Sequence, residues 1–471
     1  MPTPPPTMGK LMAQIDAVFK AYDIRGTVPD QLDAELCRAI GAAFARFATA
    51  DMAVPKVLVG RDMRPSGVEL SAAFAAGVRS QGVGVVDLGL CSTDMLYFAS
   101  GREDAPAAVF TASHNPAAYN GIKMCLSGAR PVGEETGLRE IKAAAAAGVP
   151  DATDVPGDSA TLDVLADFAA HVHSFVDRDA LKPLKVVADT ANGMGGLVVP
   201  AVFEGLPFAL DLMYGELDGT FPNHPADPIQ PENQEDLRQR VLETGADIGL
   251  AFDGDADRVF LVDEQANLLS GSLTTALVAS GILAKQPGST VIHNLICSKA
   301  VPEVIREGGG TPVRSRVGHS FIKALMAETG AVFGGEHSGH YYFRDNYRAD
   351  SGLIAALVVL EQLSQSGLAL SQMRTPFERY AASGELNQQV PDPRAIIDVV
   401  ADHFADAAQD RLDGLTVDLG DWWFNLRPSN TEPLLRLNLE AADDTACARH
   451  VDEVNDVIGA AAASLADRTD S

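Results

Sequence analysis

The strand-like run Lys56-Val57-Leu58-Val59-Gly60, the polar loop Arg61-Asp62-Met63-Arg64-Pro65-Ser66-Gly67 that opens a helix, and the following Gly84-Val85-Val86-Asp87-Leu88-Gly89 decide the fold. Short apolar runs bounded by glycine read as buried strands. A helix between two of them means a crossover, and repetition of that rhythm means a mostly parallel sheet covered on both faces. Upstream lie Phe19-Lys20-Ala21-Tyr22-Asp23-Ile24-Arg25-Gly26 and a helical stretch from Gln31 to Ala48. The Pro/Gly/Asp-rich stretch Gly148 to Asp158 reads as a linker. A second α/β block starts at Lys185-Val186-Val187-Ala188-Asp189. A third, with Ser289-Thr290-Val291-Ile292-His293 as a strand, repeats the rhythm. The last block differs. Leu415-Thr416-Val417-Asp418-Leu419 and Leu434-Leu435-Arg436-Leu437-Asn438-Leu439 alternate like antiparallel strands, between helices from Pro393 and Asp443. The expected division is a flexible lead over 1–17, α/β blocks over 18–156, 157–265 and 266–374, and a smaller α+β domain over 375–471. Three blocks of similar length hint at an internal structural repeat, although sequence self-similarity is weak.

At 471 residues the chain is too long for one core. Its net charge of -28 argues against nucleic acid and anionic membranes as partners. An anionic substrate must therefore be drawn to a local positive site. Five scattered cysteines, Cys37, Cys91, Cys125, Cys297 and Cys447, show no metal or redox spacing and predict buried thiols in a reduced, cytoplasmic protein. The N-terminal Pro2-Thr3-Pro4-Pro5-Pro6 is not built like a signal peptide. The apolar run Leu353 to Leu360 is too short to span a bilayer. A monomer or weak dimer acting on small molecules is expected.

Four polar clusters carry the chemistry. Thr111-Ala112-Ser113-His114-Asn115-Pro116, closed by Tyr119-Asn120-Gly121-Ile122-Lys123, puts a serine hydroxyl on a constrained loop. Asp253-Gly254-Asp255-Ala256-Asp257-Arg258 follows the apolar strand Ile248 to Phe252, so its carboxylates lie at a strand's carboxyl end, where open α/β sheets place ligands. Alternating carboxylates repel unless a cation sits among them, and hard cations such as Mg²⁺ take carboxylate and phosphate oxygens. Together the two clusters suggest a serine that carries a phosphoryl group beside a divalent cation. Gly334-Gly335-Glu336-His337-Ser338-Gly339-His340, after the strand Ala331-Val332-Phe333, offers Glu336 and Ser338 to vicinal sugar hydroxyls. Arg427-Pro428-Ser429-Asn430-Thr431 suits a tetrahedral oxyanion, with one guanidinium and three small hydrogen-bonding side chains. The loop Thr190 to Gly196 could take phosphate or permit close packing; packing is favoured because no P-loop lysine follows.

In this order, and over nearly the whole chain, these clusters resemble the α-D-phosphohexomutase superfamily. The resemblance implies three related mixed α/β domains and a smaller C-terminal α+β domain around a central cleft. It implies a phosphoserine at Ser113, Mg²⁺ held by Asp253, Asp255 and Asp257 together with an oxygen on Ser113, and hexose 1,6-bisphosphate as activator. Tyr22, Arg258, Glu336 and Ser338 are then expected at the substrate, and Arg427, Ser429, Asn430 and Thr431 at its non-reacting phosphate. Lys123, His319 and His340 are candidates for proton transfer, with Arg25 shaping the field. The form Gly-Glu-His-Ser-Gly-His, and Asn430 in the last loop, look more like the bacterial phosphomannomutase/phosphoglucomutase branch than like phosphoglucosamine mutases. A phosphoglucosamine mutase is the near alternative, and a non-catalytic sugar-phosphate-binding paralogue the remote one. One departure is Ile296, where some relatives carry a lysine; Lys299 stands nearby.

Overall fold

The computed structural model describes residues 13–428 and 434–469, with side chains as far as Leu465. Four sheets follow one another along the chain. In the first, Lys56–Arg61 lies between Gly84–Leu90 and Ala107–Phe110, all parallel, and Tyr119–Leu126 closes on Ala107–Phe110 antiparallel. In the second, Lys185–Asp189 lies between Ala209–Met213 and Ile248–Phe252 in parallel, and Val259–Asp263 returns antiparallel. In the third, Thr290–Asn294 lies between Thr311–Ser315 and Phe333–Gly335 in parallel, and Tyr341–Phe343 returns antiparallel. Each of these three sheets thus contains four strands in the order second-first-third-fourth, with only the fourth of them reversed. The repeat that the sequence barely shows is one of topology.

That topology positions the site. The third and fourth strands form a hairpin in every copy, at the carboxyl end of the parallel strands. The three hairpin loops are 111–118, 253–258 and 336–340. Three of the four clusters picked out by sequence therefore occupy equivalent places.

The strands form where expected because both of their faces are covered. Ile248–Phe252 is buried along its whole length, between one helical layer and the next. The strand expected at Ala331 to Phe333 instead runs Phe333–Gly335, paired with Val291, Ile292 and His293. Its glycines are not loop residues. A Cβ on Gly335 would stand 2.4 Å from the Thr275 side chain, because the helix Gly271–Lys285 lies directly on this strand. The strand Ser159–Thr161, beyond the linker, joins the first sheet beside Gly84–Leu90. The polar segment Arg61 to Gly67 does not face water throughout: Asp62 and Arg64 are fully buried.

One continuous apolar cluster runs through the first three sheets and their helices, including Phe98, Phe168, Phe252, Phe333 and Leu357. All five cysteines are buried and unpaired. The fourth sheet is antiparallel throughout, in the order Ala381–Gln389, Leu434–Ala441, Trp423–Pro428, Leu415–Asp418, Ala408–Asp410. It has its own core around Phe404, Trp422, Phe424 and Ile458. Polar contacts link it to the third domain: Lys299 to Asp418 at 2.7 Å, the Lys299 N–H to Glu440 at 3.0 Å, the Val317 N–H to Asp413 at 3.2 Å, and Arg314 to Asp410. No single helix among the described residues is long and apolar enough to cross a membrane.

His293 gives the third sheet a pH signature. Its ring is buried in the central strand, with Nδ1 donating to the Asn294 carbonyl at 3.0 Å, and burial depresses its pKa to about 4. A folded pKa below the unfolded value of about 6.5 means that stability is full above pH 6.5 and is lost as pH falls through 4. The loss from this residue alone should be roughly 2–4 kcal/mol at pH 4. Chemical denaturation of wild type and His293→Gln from pH 7 to pH 4 checks it: the wild type should lose more stability over this range by that difference.

Candidate active site

The hydroxyl of Ser113 donates to Asp253 Oδ2 at 2.6 Å, joining the first hairpin loop to the second. Arg258 completes the contact. Its Nε donates to the same Asp253 oxygen at 2.8 Å, and its Nη2 reaches Ser113 Oγ at 3.2 Å and His114 Nδ1 at 2.7 Å. His114 must accept that last bond, so its Nδ1 is unprotonated. Burial, then the charges of Arg258 and Arg25, lower its pKa to about 2, which keeps the ring neutral.

The loops approach so closely because of their small residues. A Cβ on Gly254 would lie 2.4 Å from the Ser113 carbonyl oxygen. Met194 N–H donates to the Gly254 carbonyl at 2.8 Å, and a Cβ on Gly193 would lie 2.7 Å from that same oxygen. The loop Thr190 to Gly196 is thus the bed of the acidic loop, as the packing reading expected. Ser113 has φ +50° and Ala256 φ +60°, a region that side-chain-bearing residues rarely enter and that persists only where the surroundings over-determine it.

Oxygens of Asp253, Asp255 and Asp257 lie within 4.8 Å of one another, all buried. Lys123, from the fourth strand of the first sheet, puts its ammonium 2.7 Å from Asp255 and 2.6 Å from Asp257. Thr93 holds Asp255 from the side, Oγ1 to Oδ2 at 2.6 Å. Burial alone would raise the Asp255 pKa, but Lys123 and Thr93 hold it well below the usual carboxylate range. Burial would likewise lower the Lys123 pKa, but the two carboxylates raise it well above an ordinary lysine's, so the ammonium stays charged. Asp253 goes the other way: burial pushes it up to about 8 against the pull of Arg258, with Asp255 and Asp257 adding repulsion. One oxygen each of Asp255 and Asp257 is buried without a hydrogen-bond partner. Three converging carboxylates with two orphaned oxygens are a donor set that fits a hard divalent cation.

The third loop meets the second backbone to backbone, through a bridge between Arg258 and His340. A Cβ on Gly352, at the start of the helix Gly352–Ser366, would lie 2.8 Å from the Arg258 carbonyl, so this helix seats the same junction. His340 Nε2 is 3.7 Å from Asp257, and its Nδ1 is 3.0 Å from Ser338 Oγ. Glu336 is buried, and takes donors from Asn294 at 3.2 Å, the Gly318 N–H at 3.0 Å and the Tyr342 hydroxyl at 2.7 Å. His319 begins a helix, with its ring 5.3 Å from that of Tyr22 and its Nδ1 buried without a partner. Burial, then Lys323, lowers its pKa to about 3. Arg25 reaches Asn115 in the serine loop at 2.5 Å and Asp23 at 2.6 Å.

Arg427 sits in the fourth domain and is paired with Glu385 at 2.7 Å; its charge also acts on Tyr22 and His337. Ser429, Asn430 and Thr431 lie outside the described residues. Lys299 is not free to replace a lysine at position 296, since its ammonium binds Asp418 and the Gly420 carbonyl of the fourth domain. Sequence reasoning missed Arg64, Asp62, Thr93 and the buried Lys323–Asp350 pair at 2.9 Å. Only the first two carried a signal, as charges in a loop at a strand's carboxyl end.

Comparison with known proteins gives the family. Family profiles for phosphoglucomutase/phosphomannomutase alpha/beta/alpha domains I, II and III match residues 16–149, 166–267 and 270–380, and that for the C-terminal domain matches 385–457. The chain belongs to the phosphoglucomutase/phosphomannomutase family. It is 43% identical to a protein of Xanthomonas campestris pv. campestris called phosphohexose mutases, over 91% of this chain and 96% of that protein. It is 39% identical to an Escherichia coli K12 phosphomannomutase, over 90% of this chain and 95% of that one. The crystal structure of a phosphoglucomutase/phosphomannomutase family protein from Burkholderia thailandensis superposes with a TM-score of 0.85 at 34% identity, covering 95% and 98% of the two chains.

Because a Cβ at position 254 would meet a backbone oxygen rather than a flexible side chain, Gly254→Ala must push the acidic loop off Ser113. Overpacking of this kind costs about 1–3 kcal/mol. A lower melting temperature and a fall in turnover should be measured together.

Proposed function

We propose that this chain is a phosphomannomutase, interconverting hexose 6-phosphate and hexose 1-phosphate through a phosphoserine at Ser113. The observation that carries this reading is the Ser113 hydroxyl held between Asp253 and Arg258, beside three convergent carboxylates. The relatives' names, phosphomannomutase and phosphohexose mutases, support the sugar class.

Asp253, Asp255 and Asp257 would hold Mg²⁺ with an oxygen of phosphorylated Ser113. The cation would offset charge on the phosphoryl oxygens in a loose transition state. Arg258 stands where charge grows on the Ser113 oxygen, and preorganised charge of this kind is usually a large share of catalysis. Arg25 holds the serine loop through Asn115. The substrate's phosphate docks at Arg427 and the loop Ser429 to Thr431, and its ring lies on Tyr22, Glu336 and Ser338. The free hydroxyl then attacks phosphorus. A bond forms from the sugar oxygen, and the P–Oγ bond breaks with its electron pair leaving on Ser113. The hydroxyl's proton passes to a base and Ser113 takes up one in exchange. Of the three candidates, Lys123 is held charged by Asp255 and Asp257, and His319 has its Nδ1 buried near Tyr22. His340, on the sugar loop beside Asp257, is the base we assign. The hexose 1,6-bisphosphate turns over in the cleft and returns its other phosphate to Ser113. For this the fourth domain must open and close on the other three, with boundaries near 265 and 374 and a first one that falls after Thr161 rather than at the expected 156, because Ser159–Thr161 pairs with Gly84–Leu90 in the first sheet.

The deciding experiment is a coupled mutase assay on purified protein with mannose 1-phosphate, glucose 1-phosphate and glucosamine 1-phosphate, with bisphosphate added. Mannose phosphate should turn over well and glucosamine phosphate poorly; the reverse order makes the chain a phosphoglucosamine mutase. Ser113→Ala should lower turnover by at least about three orders of magnitude with the fold intact. Mass spectrometry should find phosphate on the peptide bearing Ser113; phosphate only on another residue refutes the reading.

Chelation should abolish turnover and Mg²⁺ should restore it. Mg²⁺ should also raise the melting temperature of the wild type by mass action, and Asp255→Asn should lose that shift. Activity persisting in metal-free buffer removes the cation from the assignment.

A further inference from the structure

Arg64 is a fully buried arginine that meets Ser113 through its backbone carbonyl, not its hydroxyl. Burying a guanidinium is costly unless its hydrogen bonds are all made, and here every N–H has an acceptor. Nε donates to Asp62 at 3.2 Å. Nη1 donates to the carbonyls of Pro116 at 2.8 Å and Tyr119 at 3.0 Å, and Nη2 to those of Ser113 at 2.9 Å and Asn115 at 2.7 Å. Four of the five bonds are thus spent on the backbone of one loop, that of Ser113. The fifth goes to a carboxylate that works on the same loop. Asp62 is hydrogen-bonded to the Thr111 hydroxyl, which accepts from the Ser113 N–H at 2.9 Å. Both sides of the Ser113 backbone are tied, N–H through Thr111 and C=O to Arg64, while its φ is +50°.

The other face of Arg64 meets the second domain. The ring of Phe221 lies 4.9 Å from the guanidinium carbon, and a Cβ on Gly219 would lie 2.5 Å from Arg64 Cα. The same domain supplies Asp253, the acceptor of the Ser113 hydroxyl.

We infer that Arg64 is a positioning residue for phosphoryl transfer: its planar fork fixes the backbone of the Ser113 loop in its left-handed turn and seats that loop against the domain that carries the three aspartates. A lysine could not replace it. An ammonium offers three donors from one point, whereas the four carbonyls need a fork. Sub-ångström placement matters because reacting atoms must be held near attack distance, and an error of about 1 Å costs on the order of 100-fold in rate.

This inference rests on the reading of Ser113 as the phosphoryl carrier, and the experiment separates the two. Wild type, Arg64→Lys and Phe221→Leu are compared by steady-state kinetics at saturating bisphosphate, with melting temperature and Mg²⁺ affinity measured on the same samples. Single-turnover phosphorylation of the dephosphorylated enzyme by hexose 1,6-bisphosphate is followed by mass spectrometry. For folded Arg64→Lys, kcat and the single-turnover rate should both fall about 30- to 100-fold, with KM for hexose phosphate within about threefold of wild type. Phe221→Leu, which removes only the ring against the guanidinium, should lower kcat severalfold with the same unchanged KM. A purely structural role would lower the melting temperature but leave kcat per folded enzyme near wild type. That result in Arg64→Lys overturns the inference, as does a KM rise as large as the kcat loss. If Arg64→Lys does not fold, Phe221→Leu decides alone, and wild-type kcat there overturns it. Wild-type enzyme that carries no phosphate on Ser113 would instead remove the reading on which the inference stands.

Discussion

Everything at the centre of this molecule depends on one carboxylate. Asp253 accepts the Ser113 hydroxyl and the Arg258 guanidinium on the same oxygen, and through them ties the first hairpin loop to the second. The contact survives only because three neighbours give way. Gly254 has no Cβ to strike the Ser113 carbonyl, Gly193 has none to strike Gly254, and Gly352 has none to strike Arg258. Three acidic side chains in one small volume would otherwise repel one another. Lys123 and Arg258, both buried or nearly so, supply the positive charge that allows the loops to approach.

The convergence follows from topology. A sheet with order second-first-third-fourth and a reversed last strand puts one hairpin loop at the carboxyl end of its parallel strands, where ligands bind in open α/β sheets. Three copies packed on one continuous core turn three such loops toward a common point. Each copy has kept the place and changed the side chains: a hydroxyl in the first, carboxylates in the second, a Glu-His-Ser-Gly-His run in the third. The repeat is therefore clear in hydrogen-bond register and faint in sequence.

That difference explains what could be read in advance. The strands Lys56–Arg61, Lys185–Asp189 and Ile248–Phe252 were legible because both faces are buried, which leaves an unbroken apolar run. Ser113, the aspartates and Glu336 were legible because polar residues on glycine-rich loops after such runs have few structural explanations. Gly334 and Gly335 misled, since glycine marks either a loop or a strand under a closely packed helix, and only the contact with Thr275 distinguishes the two. Arg64 was hidden for the opposite reason. An arginine in a short polar loop normally faces water, and its partners here are backbone carbonyls 49 to 55 residues away, which leave no trace in composition.

The fourth domain obeys different physics. Its core is its own, and polar contacts around Lys299, Arg314 and Val317 join it to the third domain. Exposed ion pairs contribute about 0–1 kcal/mol each, little enough to break and re-form with the domain's position. Arg427 illustrates the consequence. Glu385 of the same domain holds it at 2.7 Å, so the guanidinium is neutralised locally in a chain of net charge -28. Under the proposed reading, a sugar phosphate arriving there would compete with one carboxylate for a guanidinium that is already aimed. In the proposed mechanism the chemistry is fixed where three loops share one core, and the grip on the non-reacting phosphate would belong to the part least bound to that core. In the proposed mechanism, a bisphosphate presenting first one end and then the other to Ser113 would require that division of labour.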